Sequence, residues 1–195
     1  MSLTWPDTSK EKRLSTLILD RRSVIAGAAS LLSVAAQAAS RTSVTGAIGD
    51  FDFQEGRWHV RHRSRSAAGV WRDFKGECSM RKVLGGQGNV EEHVWELEGK
   101  VHRAMGLRTF DPALSTWSIF WLDSRWPSTI GPPVVGGFDG KRGTFYADEE
   151  TEQRPSRSRF LWLVDDRNRC RWEQGSSLDA GITWDTNWYM SFTRL

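Results

Sequence analysis

A chain of 195 residues, 38% of them hydrophobic, is long enough for one well-filled core and is neither disordered nor fibrous in composition. Its formal net charge of +3 owes most of its size to the first 38 residues. Beyond them, basic and acidic side chains nearly balance and are interleaved, which excludes the one-sided basic footprint of a nucleic-acid binder.

Residues 21–39, RRSVIAGAASLLSVAAQAA, pair two arginines with a mildly apolar run and end in small residues around AQA. This layout resembles a twin-arginine export signal. The apolar run Val24–Ala36 spans 13 residues, short of the roughly 20 that a bilayer-spanning helix needs, so no integral membrane segment is expected. The reading is an export signal over 1–38 cut after Ala38, a short linker over 39–49, and a single domain over 50–195 that is periplasmic or otherwise exported.

From there the chain is a series of short alternating or apolar runs divided by Gly, Pro, Asp and Asn. Strands are predicted at 57–65, 73–83, 89–97, 101–110, 116–123, 133–138, 143–148, 157–165, 169–175 and 184–194. The connections, such as VLGGQGN, LEGK, FDGKRG and DDRNR, suit hairpins. About ten strands without a convincing helix predict an all-β antiparallel fold, an up-and-down barrel or a sandwich. Ser177, Asp179, Gly181, Thr183 and Trp184 fit the S-x-D-x-G-x-T-W hairpin that sialidase propellers repeat. A single copy is a way to build a turn, with the Asp capping local N–H groups.

The first predicted strand, EGRWHVRHRSRS, alternates strictly. It sets Trp58, Val60, His62 and Ser64 on one face and Arg57, His59, Arg61, Arg63 and Arg65 on the other. The arginine face is read as solvated. Gly56 and Trp58 resemble the G-x-W that opens the first strand of lipocalins and related calycin barrels. There the Trp closes the barrel floor and an Arg from the last strand packs on it, a place that Arg194 would take here. FDFQEGRWHV, LRTFDPALSTWSIFWLDSR and TWDTNWYMSFTR together resemble an uncharacterised group of bacterial calycin-like domains over roughly residues 50–195. The resemblance implies a calycin-like β-barrel and brings no catalytic residue with it.

A ten-stranded barrel has room for a ligand where an eight-stranded one is nearly filled. With the apolar parity of each strand turned inward, the lumen receives Trp58, Val60 and His62. It also receives Trp117, Ile119, Trp121 and Asp123, then Cys170, Trp172 and Gln174, and lastly Trp184, Trp188, Met190, Phe192 and Arg194. Trp95, Trp121, Trp172, Gln174, Trp184 and Trp188 are the candidate ligand contacts, although eleven Trp also suit a core that is simply full. His62 and Asp123 are the candidate acid–base pair, on strands that meet only across the lumen. No metal site is expected, because EEHVWE and the segment from Lys100 to Arg103 show no ligand pair and His59 and His62 face opposite ways. No cofactor is expected either. The nitrobindin branch of calycin-like barrels takes its haem ligand from a histidine near the C-terminus, and no histidine follows His102 here, so only His62 or His93 could substitute. Cys78 and Cys170, on the second and ninth strands, lie about 14 Å apart if the barrel closes, beyond disulfide reach.

Three functions compete at this level. One is an exported barrel binding a small, largely apolar or aromatic molecule. A second is an enzyme on the same barrel, an isomerase, cyclase or hydrolase using His62 and Asp123. The third is a structural envelope interaction module. An open aromatic tube favours the first, convergence of His62 with Asp123 the second, and a filled lumen the third. Oligomeric state is not encoded legibly.

Overall fold

The computed structural model describes residues 44–150 and 155–195; the segment 1–38, read above as an export signal, lies outside them. Ten strands follow in sequence: β1 (Gly56–Arg65), β2 (Trp71–Val83), β3 (Gly88–Leu97), β4 (Lys100–Asp111), β5 (Thr116–Asp123), β6 (Val134–Asp139), β7 (Arg142–Glu150), β8 (Pro155–Asp166), β9 (Arg169–Ser177) and β10 (Asp185–Arg194). Each pairs antiparallel with its sequence neighbours, and β1 also pairs with β10, so the sheet closes into a barrel. Among the described residues no helix is long and apolar enough to cross a membrane.

The alternation read in β1 is realised as buried Trp58, Val60 and His62 between exposed neighbours. Trp58 stands opposite Arg194 across the closing β1–β10 ladder, and the Arg194 guanidinium lies 4.2 Å from the centre of its ring. The same guanidinium donates to the carbonyls of Arg167, Glu55 and Phe53 at 2.8, 2.6 and 2.5 Å. One side chain thus ties the last strand to the chain leading into the first.

The floor of the barrel is plugged from the N-terminal side. Phe51, followed by a 3₁₀ turn at Asp52–Gln54, enters the lumen. Its ring meets Phe53, Trp117, Phe138, Phe145 and Trp162 at centroid distances between 5.1 and 6.2 Å. Residues 46 and 47, within the segment read as linker, also join the floor. Gly46 N–H donates to Ser115 O at 2.6 Å, and Trp117 Nε1 donates to Ala47 O at 3.0 Å.

One wall is incomplete. The β5–β6 ladder covers only Trp117–Ile119 against Val134–Gly136, leaving Phe120 to Asp123 without ladder partners on that side. The sequence gives the reason. In that register the next residues of the second strand would be Pro133 and Pro132, which carry no N–H to donate. The seam so opened lies at the mouth, the end opposite the plug, where the ten-residue β5–β6 connection runs from Ser124 to Pro133.

Candidate functional site: a polar floor beneath an aromatic mouth

Above the plug, side chains from β2, β3 and β4 converge on Glu91. Their positions follow from register: Glu91 and His93, two apart on β3, share the inward face, Cys78 of β2 is the ladder partner of His93, and Arg108 of β4 is that of Asn89. The Arg108 guanidinium holds Glu91 Oε2, and its Nη1 donates to Gln54 Oε1 at 2.8 Å and Asn89 Oδ1 at 3.0 Å. Glu91 Oε1 accepts from Gln54 Nε2 at 2.6 Å, His93 Nε2 at 2.8 Å and Cys78 Sγ at 3.5 Å. Arg108 also lies over the rings of Phe51, at 4.3 Å, and Trp162, at 5.2 Å. Burial lowers the Arg108 pKa to about 9, still above neutrality, so it faces Glu91 as a cation. A charge placed this deep needs such a partner.

None of Gln54, Asn89, Glu91 or Arg108 was among the residues singled out in the sequence. The spacing Glu91-x-His93 was the available signal, since two steps along a strand return to the same face.

Toward the mouth the lining becomes almost wholly aromatic. The Trp188 ring lies 5.9 Å from His62, 6.5 Å from Trp95, 6.1 Å from Trp121 and 5.8 Å from Trp172. It therefore reaches from β10 across the lumen to β3 and β5. His62 stacks on Phe74 at 4.6 Å with the planes 8° apart, and Gly76 makes room beside it. A Cβ at Gly76 would come within 2.6 Å of Val94 O and 3.2 Å of His62 Nε2. His93 closes the group at 5.3 Å from Trp121 and 6.3 Å from His62. Within this ring of four side chains both nitrogens of His62, Nδ1 of His93 and the indole nitrogens of Trp121 and Trp188 are buried with no hydrogen-bond partner. Burial pushes both imidazoles down to about 3, with the neighbouring His93 adding to the effect at His62, so both are neutral at pH 7.

The structure does not join His62 to Asp123. The Asp123 carboxylate accepts from Arg125: backbone N–H at 2.9 Å and Nε at 2.8 Å on Oδ1, and Nη2 at 2.6 Å on Oδ2. This caps the start of the β5–β6 connection, while the His62 nitrogens bond to nothing. Of the six candidate ligand contacts, Trp95, Trp172 and Trp188 are buried in the lumen and Trp121 is half-buried beside the seam. Gln174 is half-buried and donates to Asn187 Oδ1 at 3.1 Å.

Trp184 is a correction. The β9–β10 ladder slips between Thr186 and Trp188, so counting back by twos from Trp188 fails at the bulge. Trp184 instead lies outside the barrel, 5.8 Å from the Tyr146 ring and 4.3 Å beneath the Arg159 guanidinium. The hairpin before it is built as its motif suggests. Asp179 accepts from Ser177 Oγ, Thr183 N–H and Thr183 Oγ1 at 2.7, 2.9 and 2.5 Å. Those bonds hold its carboxyl down at about 2.

Cys78 and Cys170 are free and buried, and burial pushes both thiols up to about 12, which makes them poor nucleophiles. A depression of about 640 Å³ across β1 to β4 is lined by the charged residues Arg57, Lys75, Glu77, Glu92 and Arg103 and also by Cys78, His93 and Trp95. Its charges are of both signs and partly paired, as in Arg57–Glu77 at 3.0 Å.

No protein-family model and no curated protein matches the chain. Among solved structures it is similar to the S-type phycobiliprotein lyase CPES of Guillardia theta, with 10% identity over 74% of this chain and 90% of that one and a TM-score of 0.49. A de novo designed fluorescence-activating β-barrel is similar at 13% identity over 75% and 98%, TM-score 0.42. A redesigned β-barrel follows at 8% over 77% and 99%, TM-score 0.44. The likeness is one of barrel architecture.

Proposed function

We propose that this barrel binds a small, largely apolar or aromatic molecule carrying both hydrogen-bond acceptor and donor atoms, in the mouth half around Trp188. The observation that carries the reading is the cluster of five unpartnered ring nitrogens on His62, His93, Trp121 and Trp188. Each buried polar group left unpaired costs about 1–3 kcal/mol, and a core built only for stability has no reason to gather five of them. The rings touch one another, so a ligand enters by displacing the Trp188 indole, which gives up no hydrogen bond in moving. The β5–β6 seam beside Trp121 is the route in. The filled floor half would suit a structural envelope module equally well; the unpaired nitrogens of the mouth set the binding reading above it.

Export directed by Arg21 and Arg22 belongs to the same proposal. Lys replacement of both should hold the protein in the cytoplasm, and unchanged export would remove that part. Binding is tested by native against denaturing mass spectra of the protein purified from its own host, together with tryptophan fluorescence during titration with 2-naphthol. A stoichiometric mass lost on unfolding, or saturable quenching that Trp188→Ala weakens, is expected. A clean apo mass with only linear quenching would return the barrel to a structural role.

A further inference from the structure

We infer that Cys78, Glu91 and His93 form a site for one divalent ion of the zinc or cobalt type, with three protein ligands and a fourth position open. The ligand atoms, Cys78 Sγ, a Glu91 carboxylate oxygen and a His93 ring nitrogen, all lie within 4.8 Å of one another. Metal–ligand bonds of about 2.0–2.3 Å in a tetrahedron place ligand atoms roughly 3.5 Å apart, so side-chain shifts on the order of 1 Å would enclose an ion. A thiolate, an imidazole and a carboxylate are the donors that zinc prefers.

Three hydrogens already converge on the single oxygen Glu91 Oε1, from Cys78, His93 and Gln54. A cation would take the place of the first two. The Cys78 thiol proton leaves to solvent, and the His93 proton moves from Nε2 to Nδ1, which has no protein partner. Gln54 keeps its bond to Oε1, and Arg108 keeps Oε2 while itself held by Gln54 and Asn89. That is the outer shell that fixes a ligating carboxylate. Arg108 cancels the charge of Glu91, so an ion of charge two with one thiolate leaves one positive charge in a buried site. The fourth ligand is therefore an anion, hydroxide or a carboxylate. This site shares only His93 with the Trp188 reading and otherwise rests on the floor network, so it can be tested without the mouth ligand.

The experiment is a cobalt(II) titration of chelator-treated full-length protein, read by absorption. One equivalent should bind, giving tetrahedral visible bands and a near-ultraviolet thiolate-to-cobalt charge-transfer band. Cys170→Ser should keep that band and Cys78→Ser should abolish it, while His93→Gln should weaken binding tenfold or more. No thiolate band at saturating cobalt, or a band that survives Cys78→Ser, overturns the site. Should Cys78→Ser fail to fold, X-ray absorption on the zinc-loaded wild type decides. One sulfur among nitrogen and oxygen scatterers supports the site, and a shell without sulfur refutes it.

Discussion

Phe51 at the floor and Trp188 at the mouth are each the centre of a ring cluster, and the two clusters are equally aromatic. They differ in what happens to the polar atoms among the rings. At the floor, Trp58 Nε1 donates to Gln54 O at 2.7 Å and Trp117 Nε1 to Ala47 O, and Glu91, Arg108, Gln54 and Asn89 satisfy one another. Only Arg108 Nε and Trp162 Nε1 are left over, and the guanidinium lies over that same indole. At the mouth, five nitrogens in one ring of side chains have no partner. Aromatic burial alone therefore does not distinguish the two clusters; the fate of the buried polar atoms does.

Four measurements break or sharpen that contrast. Arg108→Met strands Glu91, Gln54 and Asn89 at the floor, and should cost about 3–5 kcal/mol in urea unfolding, as for half of a broken buried ion pair. A loss under 1 kcal/mol would mean that the floor network is not holding the barrel. Next in size is a pH effect at the mouth. His62 and His93 titrate near 3 when folded and near 6.5 when unfolded, so the unfolded state takes up protons first. Their stabilisation is complete above about pH 6.5 and is lost as the pH falls toward 3. At pH 5 each histidine accounts for about 2 kcal/mol of that loss, and His62→Gln should remove its share of the slope; an unchanged slope would show that His62 is not buried neutral.

Smaller still is a matched pair of substitutions. Trp58→Phe and Trp188→Phe remove the same part of a ring, but only the first leaves a buried carbonyl unpaired. Trp58→Phe should therefore be the costlier by about 1–3 kcal/mol; equal costs would erase the distinction between the two halves. The smallest effect belongs to the rim. The Asp179 carboxyl is held at about 2 against an ordinary 3.8, so its contribution is present above about pH 4 and fades as the pH falls through 2. Asp179→Asn should loosen the 178–184 hairpin, seen as faster amide exchange there, while leaving the barrel's unfolding midpoint nearly in place.

Much of the fold was legible because strands betray themselves by alternation. The ten predicted segments and the ten observed strands correspond one to one, and the G-x-W of β1 with Arg194 marked the closing seam. The candidate site was legible only where residue type and face agreed, as at Trp95, Trp172 and Trp188. It was hidden where they conflicted. Glu91 and Arg108 are charged residues on inward faces, which a rule of apolar parity passes over, and only the register shows that they meet. Trp184 failed for a different reason: one extra residue at the β10 bulge reverses every assignment before it, and nothing in TWDTNW announces the slip. The FDFQ plug drew no structural reading of its own, because its burial depends on a floor that exists only once the barrel has closed.

Pro132 and Pro133 deserve a last consideration as guardians of a broken wall. A sheet edge left unpaired invites a strand from another chain, and the seam exposes one on the Phe120–Asp123 side of β5. Across from it, Pro132 and Pro133 carry no N–H groups, so that side of the seam is a poor template for a further strand.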